Sequence, residues 1–395
     1  MKKKILIVSS SLSMGGLEKC LINFCDNFNY DKYEVDLYLF NEGRALLEKL
    51  NKNVNLLPDS PYYAAVFNRP VGSSVKNLFK QKKLGLVFYR ISRFVRARFK
   101  SLKFTSNDWR QMKKTMLKID NEYDVAIGYE EGSACYFVAD CIKAKKKIGW
   151  IHTDIKKISS NKKLDCRAFE KLDNIITVSA NSLNSLKEIY PEFSHKFGVI
   201  KIPGLMNYEE IDRLSKEPNE MDATAINVLS VGRLVELKGF HLCVEPCKRL
   251  IDEGYNVKWY VAGDGDYRSI LEEEIKKYNL ENKFILLGNK QNPYTYYRTA
   301  DIVVQPSSYE GFSVAVFESK HFRKAVIVSD IPSNSEMIED GVNGLIVKRD
   351  SESIYKAVKD LLDNPDKREE IAKNPTKGNS TNIQIMQEIE GLFQK

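Results

Sequence analysis

Two cations and two carboxylates in the C-terminal half of this chain are spaced as ligand contacts. Arg233 and Lys238 lie beside Gly232 and Gly239 just past a short apolar run, and Glu310 and Glu318 have seven residues between them, the first next to Gly311. The planar fork of an arginine and the compact charge of a lysine can together neutralise a diphosphate without a metal ion. Glu310 opens a loop-like stretch, Glu310 to Ser313, after a strand that ends at Gln305 to Ser308, and Glu318 falls two turns into the apolar helix expected over Val314 to Phe322. The two carboxylates therefore face different parts of one ligand, and the N–H groups around Gly311, Phe312 and Ser313 point at whatever occupies the helix N-terminus. Singly, each charge reads better as a solvated surface group than as a ligand contact; jointly they form a specific set. His152 is one of four histidines and ends an apolar run, Lys147 to His152, with Asp154 two residues on.

The elements that must position these residues follow from short apolar runs rich in β-branched side chains, separated by glycine turns and helical periodicity. Lys4 to Ser9 reads as a buried parallel strand, Gly15-Gly16 as a turn, and Leu17 to Phe28 as an amphipathic helix whose N-terminus can face phosphate. Further strands are expected at 33–40, 53–57, 123–128, 147–152, 174–179 and 197–202, and a second α/β series at 226–231, 257–262, 284–287, 302–305, 325–329 and 344–347. Each series specifies a doubly wound, Rossmann-like parallel sheet. At 395 residues two such domains are expected: residues 1–205, residues 206–375, and a C-terminal helix within 376–395 that can pack back on the first domain. The polar, acidic stretch from Asn207 to Thr224 reads as their connection. Two facing sheets would turn the carboxyl ends of both strand sets toward a shared ligand, with Gly15, Gly16 and His152 on one side and the Arg233–Glu318 set on the other.

The composition is that of an ordinary globular protein, 43% apolar and 29% charged. Seven cysteines without a Cys-x-x-Cys pair fit reduced thiols. The apolar run after Lys2-Lys3-Lys4 is too short for a signal peptide, and no segment approaches a membrane-spanning length, which places the protein in the cytoplasm. Charge is unevenly spread. Residues 68–118 hold fifteen Lys or Arg, among them Arg90, Arg93, Arg96 and Arg98, against the single acid Asp108, so the rest of a chain with net charge +8 is acidic. Phe79, Leu84, Leu86, Val87, Phe88, Ile91, Phe94, Val95, Phe99, Leu102 and Phe104 are interleaved with these cations. Such helices suit an anionic membrane surface, or else a hairpin capping the domain with a solvated charged face. Nucleic acid is disfavoured because no recognisable nucleic-acid-binding module accompanies them.

The C-terminal half resembles the retaining, nucleotide-sugar-dependent glycosyltransferases of the GT-B fold, family 4, a group that includes bacterial capsule and lipopolysaccharide enzymes. The resemblance rests on Gly232-Arg233, Lys238-Gly239, Gly263-Asp264-Gly265, Leu287-Gly288, Ala300-Asp301, Glu310-Gly311-Phe312 through Glu318, and Gly341-Val342-Asn343-Gly344. In the other half, Gly15-Gly16-Leu17-Glu18 and Trp150-Ile151-His152-Thr153 carry it. It implies that Arg233 and Lys238 hold the donor diphosphate, that Glu318 binds the ribose hydroxyls, and that Glu310 with the backbone at Gly311, Phe312 and Ser313 lies by the transferred sugar. It further implies that the Gly15-Gly16 loop lies against the phosphates or the acceptor, that His152 positions the sugar or stabilises developing charge, and that Asp154 is a lesser acceptor contact. The expected activity is transfer of a sugar from a UDP-sugar to a hydroxyl of a growing, lipid-linked glycan, with retention, no cofactor and no metal. The basic window, with Arg90, Arg93, Arg96 and Arg98, would hold the acceptor side at the inner face of a membrane. A nucleotide-sugar epimerase and a non-catalytic, membrane-bound sugar-nucleotide-binding protein share these features. One departure is the turn Ile202-Pro203-Gly204-Leu205-Met206-Asn207, where the family often has an Asn-Pro-like sequence.

Overall fold

The computed structural model of the chain describes residues 2–13, 15–99, 104–158, 160–377 and 380–394. Leu102 and the side chain of Phe99, read above with the apolar face of the basic window, lie outside that description. The chain divides into two compact units, Met1–Leu205 with Asn382–Lys395, and Met206–Thr381.

The first unit is built on seven strands: β1 (Lys3–Ser9), β2 (Tyr33–Leu39), β3 (Val54–Leu56), β4 (Glu122–Gly128), β5 (Lys143–Ile151), β6 (Asn174–Thr177) and β7 (Phe197–Val199). Their order is β3-β2-β1-β4-β5-β6-β7 and every pairing is parallel. Ile5, Leu6, Ile7 and Val8 of the central β1 are wholly buried, as a strand covered on both faces by helices must be. β5 begins four residues before the apolar run that marks it in the sequence. Its leading lysines run beside Glu122–Asp124 of β4, and Lys145 Nζ donates to Asp124 Oδ1 at 2.7 Å, so the strand extends where an opposite charge lies across it.

The basic window forms three helices, Val71–Lys80, Leu84–Phe99 and Ser106–Lys113. The third starts in a capping box: the Thr105 hydroxyl accepts from the Asp108 N–H, and the Asp108 carboxylate accepts from the Thr105 N–H. Trp109, on the same helix, is buried and donates to Asp140 Oδ2 at 2.8 Å, fastening the window to the helix Ser133–Cys141 beneath it. The C-terminal helix Asn382–Leu392 belongs to this unit; Asn382 Nδ2 donates to Asn27 Oδ1, and the Phe393 ring meets Tyr33 edge-on at 5.8 Å.

The second unit holds β8 (Ile226–Val231), β9 (Val257–Ala262), β10 (Phe284–Gly288), β11 (Ile302–Gln305), β12 (Ala325–Ser329) and β13 (Leu345–Val347), parallel throughout, in the order β10-β9-β8-β11-β12-β13. The stretch read as a connection contains a helix, Tyr208–Leu214, which belongs to this unit. The Asn207 side chain caps it by accepting from the Glu210 N–H, with Glu209 and Glu210 favourably placed in its first turn.

Candidate functional site

Strand order in the second unit reverses at β8 and β11. β9 follows β8 on one side of the sheet, whereas β11 pairs with its other edge, so the loops leaving the carboxyl ends of β8 and β11 diverge and open a crevice. Both halves of the charged set arise there, Arg233 and Lys238 after β8 and Ser307 to Ser313 after β11.

The two loops are stitched together by backbone. The Ser308 N–H donates to the Leu237 carbonyl at 2.8 Å, and Gly239, with φ +71°, passes so close to the Pro306 carbonyl that a β-carbon would sit 2.3 Å from its oxygen. Arg349, just past β13, completes the join by donating through Nε to the Pro306 carbonyl and through Nη2 to the Glu236 carbonyl, each at 3.2 Å. The turn Glu236–Lys238 is thereby fixed so that Lys238 Nζ donates to Glu310 Oε1, which also accepts from Ser307 Oγ at 2.7 Å. The pair is largely screened from water, the Lys238 and Glu310 side chains being 25% and 12% exposed. One of three ammonium donors is used on Glu310, and Glu310 Oε2 accepts no hydrogen bond among the described residues. Arg233 is exposed and makes no ion pair or side-chain hydrogen bond among them.

Gly311 and Phe312 lead into Ser313, the N-cap of the helix Val314–His321. Its side chain makes no capping hydrogen bond, which leaves the first-turn N–H groups directed into the crevice. Glu318 lies on the same helix, 4% exposed, beside the Tyr297 hydroxyl, whose pKa is raised well above the usual tyrosine range by burial and by that carboxylate. Sequence reading missed Ser307 and Arg349. Arg349 has the same signature as Arg233, a cation immediately beyond a strand; Ser307 has no signal other than its place between Pro306 and Glu310.

In the first unit the strand order reverses at β1 and β4. Gly15 adopts extended backbone as the N-cap of the helix Gly16–Asp26, again without a side-chain cap. The Glu18 carboxylate folds back beside it, where a β-carbon on Gly15 would meet Glu18 Oε2 at 2.3 Å. A phosphate at this helix end would thus compete with an acid of the chain's own. After β4, Glu130 Oε1 accepts from the Ser10 N–H and, at 3.4 Å, from Ser9 Oγ. Burial pushes the Glu130 carboxyl up to about 7, the Ser10 hydrogen bonds opposing and the charges of Glu131 and Glu18 adding to the rise.

His152 lies one residue beyond β5. Its N–H donates to Glu131 Oε2 at 3.0 Å, and its ring packs 4.9 Å from that of Tyr129. Burial pushes its imidazole pKa down to about 4, against the nearby Glu131 charge and a hydrogen bond with the Tyr129 backbone. Nε2 is buried without a partner among the described residues, so the Tyr129 carbonyl fixes the proton on Nδ1 and leaves Nε2 as an acceptor. Asp154 is buried and caps the turn Ile155–Lys157, accepting from the Lys156 N–H at 3.0 Å.

Three of the four arginines of the basic window are half-buried and have partners within the first unit. Arg90 Nη2 donates to the Arg69 carbonyl at 2.9 Å, Arg93 lies 4.8 Å over the Phe67 ring, and Arg96 Nη2 pairs with buried Asp108 at 2.5 Å. A guanidinium can bury its planar face and still satisfy its donors, which makes arginine the cation most readily recruited inward. Arg98 is exposed.

Residues 212–378 match the family model of glycosyl transferases group 1. The chain is 31% identical over 220 residues to N-acetylgalactosamine-N,N'-diacetylbacillosaminyl-diphospho-undecaprenol 4-alpha-N-acetylgalactosaminyltransferase of Campylobacter jejuni, covering 55% of this chain and 58% of that one. It is 22% identical to the amylovoran biosynthesis glycosyltransferase AmsD of Erwinia amylovora over 90% of this chain and 89% of that protein. Curated relatives at 30% identity or more are matched over only 39% to 58% of their own length. Among solved structures, Anabaena Alr3699/HepE in complex with UDP and glucose superposes with a TM-score of 0.71 at 18% identity, over 98% of each chain. The two parallel sheets are accordingly those of the GT-B fold, and residues 212–378 are similar to the glycosyl transferases group 1.

Proposed function

We propose that this protein is a retaining glycosyltransferase that moves a sugar from a UDP-sugar to a hydroxyl of a growing, lipid-linked glycan, and that it does so without a metal ion. The observation that supports this reading is the crevice at β8 and β11, whose two loops carry Arg233, Lys238 with two spare donors, and the uncapped N-terminus of the helix Val314–His321. Departure of the nucleoside diphosphate concentrates negative charge on its terminal phosphate. Fixed donors aimed at that charge lower the barrier because they are strongest in the transition state. Lys238 also holds Glu310 Oε1, with Ser307, so Glu310 Oε2 is presented to a sugar hydroxyl as a fixed acceptor. Glu318 takes the ribose hydroxyls. His152, a neutral ring with a free Nε2 acceptor, positions the transferred sugar. Retention follows from attack on the face from which the diphosphate departs.

The UDP donor is supported by the complexed Anabaena structure, and the lipid-linked acceptor by the undecaprenyl diphosphate in the name of the Campylobacter relative. Such an acceptor brings the enzyme to the inner face of a membrane, and the basic window of the first unit is the surface suited to it. No helix of the described residues is long and apolar enough to cross a membrane.

The test is a thermal-shift panel of nucleotide sugars followed by transfer assays with the stabilising donor and polyprenyl-diphosphate-linked saccharides. A UDP-sugar is expected to raise the melting temperature, and transfer to proceed unchanged in excess chelator. Stabilisation by no nucleotide sugar would overturn the proposal. Interconversion of the free nucleotide sugar without acceptor would replace it with an epimerase.

A further inference from the structure

Among the described residues, six of the ten exposed large apolar side chains fall on one pair of helices: Phe79, Leu84, Phe88, Ile91, Phe94 and Val95. Leu84, Phe88, Ile91 and Val95 are spaced four, three and four apart, a single stripe along the helix Leu84–Phe99. Phe88 is 73% exposed and Phe79 64%. The stripe is not a remnant of core packing, because the opposite side of the same helix already provides that. Leu86, Val87 and Tyr89 are buried with Ala65, Val66 and Leu78, while Arg90, Arg93 and Arg96 are engaged inward.

The charge around the stripe has one sign. Lys76, Lys80, Lys82, Lys83 and Arg98 are exposed, and the only acid of residues 68–118, Asp108, is buried and neutralised by Arg96. An exposed aliphatic-aromatic stripe bordered by lysines, with no carboxylate, matches the boundary between acyl chains and anionic headgroups. The stripe enters the hydrocarbon edge and the lysine stems reach back to phosphate.

We infer that the hairpin of Val71–Lys80 and Leu84–Phe99 is an in-plane anchor that inserts Phe79, Leu84, Phe88, Ile91 and Val95 into an anionic bilayer, with Lys76, Lys80, Lys82 and Lys83 on its headgroups. The anchor rests on the membrane-side acceptor proposed above and adds the mode of attachment, hydrophobic insertion rather than surface charge alone. The arginines Arg90, Arg93 and Arg96 hold the platform together and do not contact lipid.

The full-length chain with Phe88→Trp supplies the test, since Trp109, Trp150 and Trp259 are all buried and a new exposed indole reports on the stripe alone. Vesicles of phosphatidylglycerol and phosphatidylcholine in equal parts are expected to blue-shift its emission, and acyl-chain-brominated lipids to quench it; pure phosphatidylcholine should do so far less. Phe88→Ser with Ile91→Ser should lower vesicle partitioning by at least about tenfold, and Lys76, Lys80, Lys82 and Lys83→Gln should remove the preference for anionic lipid. Both variants alter exposed side chains and should keep the donor-induced thermal shift, measured without lipid. Absence of vesicle binding, or binding without acyl-chain quenching that survives Phe88→Ser/Ile91→Ser, overturns the anchor while leaving the transferase reading intact. Self-association in lipid-free buffer that the double serine variant abolishes, with no vesicle binding, assigns the stripe to a second copy and overturns it too. Loss of the thermal shift in the wild-type protein is the separate failure of the parent proposal.

Discussion

Lys238 illustrates how one side chain serves two ends of a ligand. It orients Glu310 and retains donors for phosphate, so its loss should disturb both sugar and diphosphate, whereas loss of Arg233 removes a charge that makes no ion pair or side-chain hydrogen bond among the described residues. Lys238→Ala and Arg233→Ala are each expected to lower kcat for transfer by about 10²- to 10³-fold, with an unchanged melting temperature for Arg233→Ala, in steady-state kinetics on the donor found by thermal shift. Two groups of the first unit should leave opposite marks on stability. Glu130 keeps its proton to about pH 7 when folded, but an ordinary carboxyl releases it near 4.5, so its contribution is full below 4.5 and is lost as pH rises through 7. His152 stays neutral down to about pH 4, while an unfolded histidine protonates near 6.5, so its contribution is full above 6.5 and is lost as pH falls toward 4. Urea midpoints between pH 4 and 8 should lose the first trend in Glu130→Gln and the second in His152→Asn; an unchanged pH profile in either variant would refute its assignment. Arg233, Lys238 and Glu310 could be singled out as candidates in the sequence because each lies beside a glycine in a loop that follows a strand. The proton on His152 and the acidity of Glu130 were not, since both depend on burial among residues distant in sequence.

At the level of elements, the strands announced themselves where apolar runs were unbroken, and the text of the sequence failed where charge replaced apolarity. The lysines opening β5 are strand because Glu122 and Asp124 lie across from them, a pairing no single segment reveals. The helices of residues 68–118 were equally legible, but their faces were not. Arginines and aromatics alternate so closely there that periodicity alone could not say which would be buried. The deciding residue is Asp108, which is both half of a capping box and the acceptor for Tyr89 at 2.7 Å and for Arg96. Burial alone would raise its carboxyl pKa, yet the hydrogen bonds from Arg96, Thr105 and Tyr89 prevail and hold it far below the usual carboxylate range. Replacing it leaves the Arg96 charge without its partner and the helix Ser106–Lys113 without its box. Asp108→Ala should therefore destabilise the first unit by about 3 kcal/mol, read from urea unfolding followed by the fluorescence of the neighbouring Trp109.

At the scale of the molecule, the two parallel sheets followed from the alternation of runs and helices, because doubly wound topology leaves few other ways to bury both faces; their switch points are seen only in the strand order. The final helix was legible as amphipathic, and its destination is now explicit: Ile385 and Ile389 are buried and Phe393 meets Tyr33. A chain ending at Thr381 should lower the calorimetric transition of the first unit while leaving that of the second in place; equal losses in both would contradict the division. The return of residues 382–394 to the first unit also orders events on the ribosome. Residues 206–381 form a continuous segment that can close its core as soon as it emerges, whereas the first unit, although its strands are synthesised earlier, waits for residues 382–394. Until then the surface around Asn27 and Tyr33 stays uncovered, so a nascent chain stalled before residue 382 would be the species that chaperones retain.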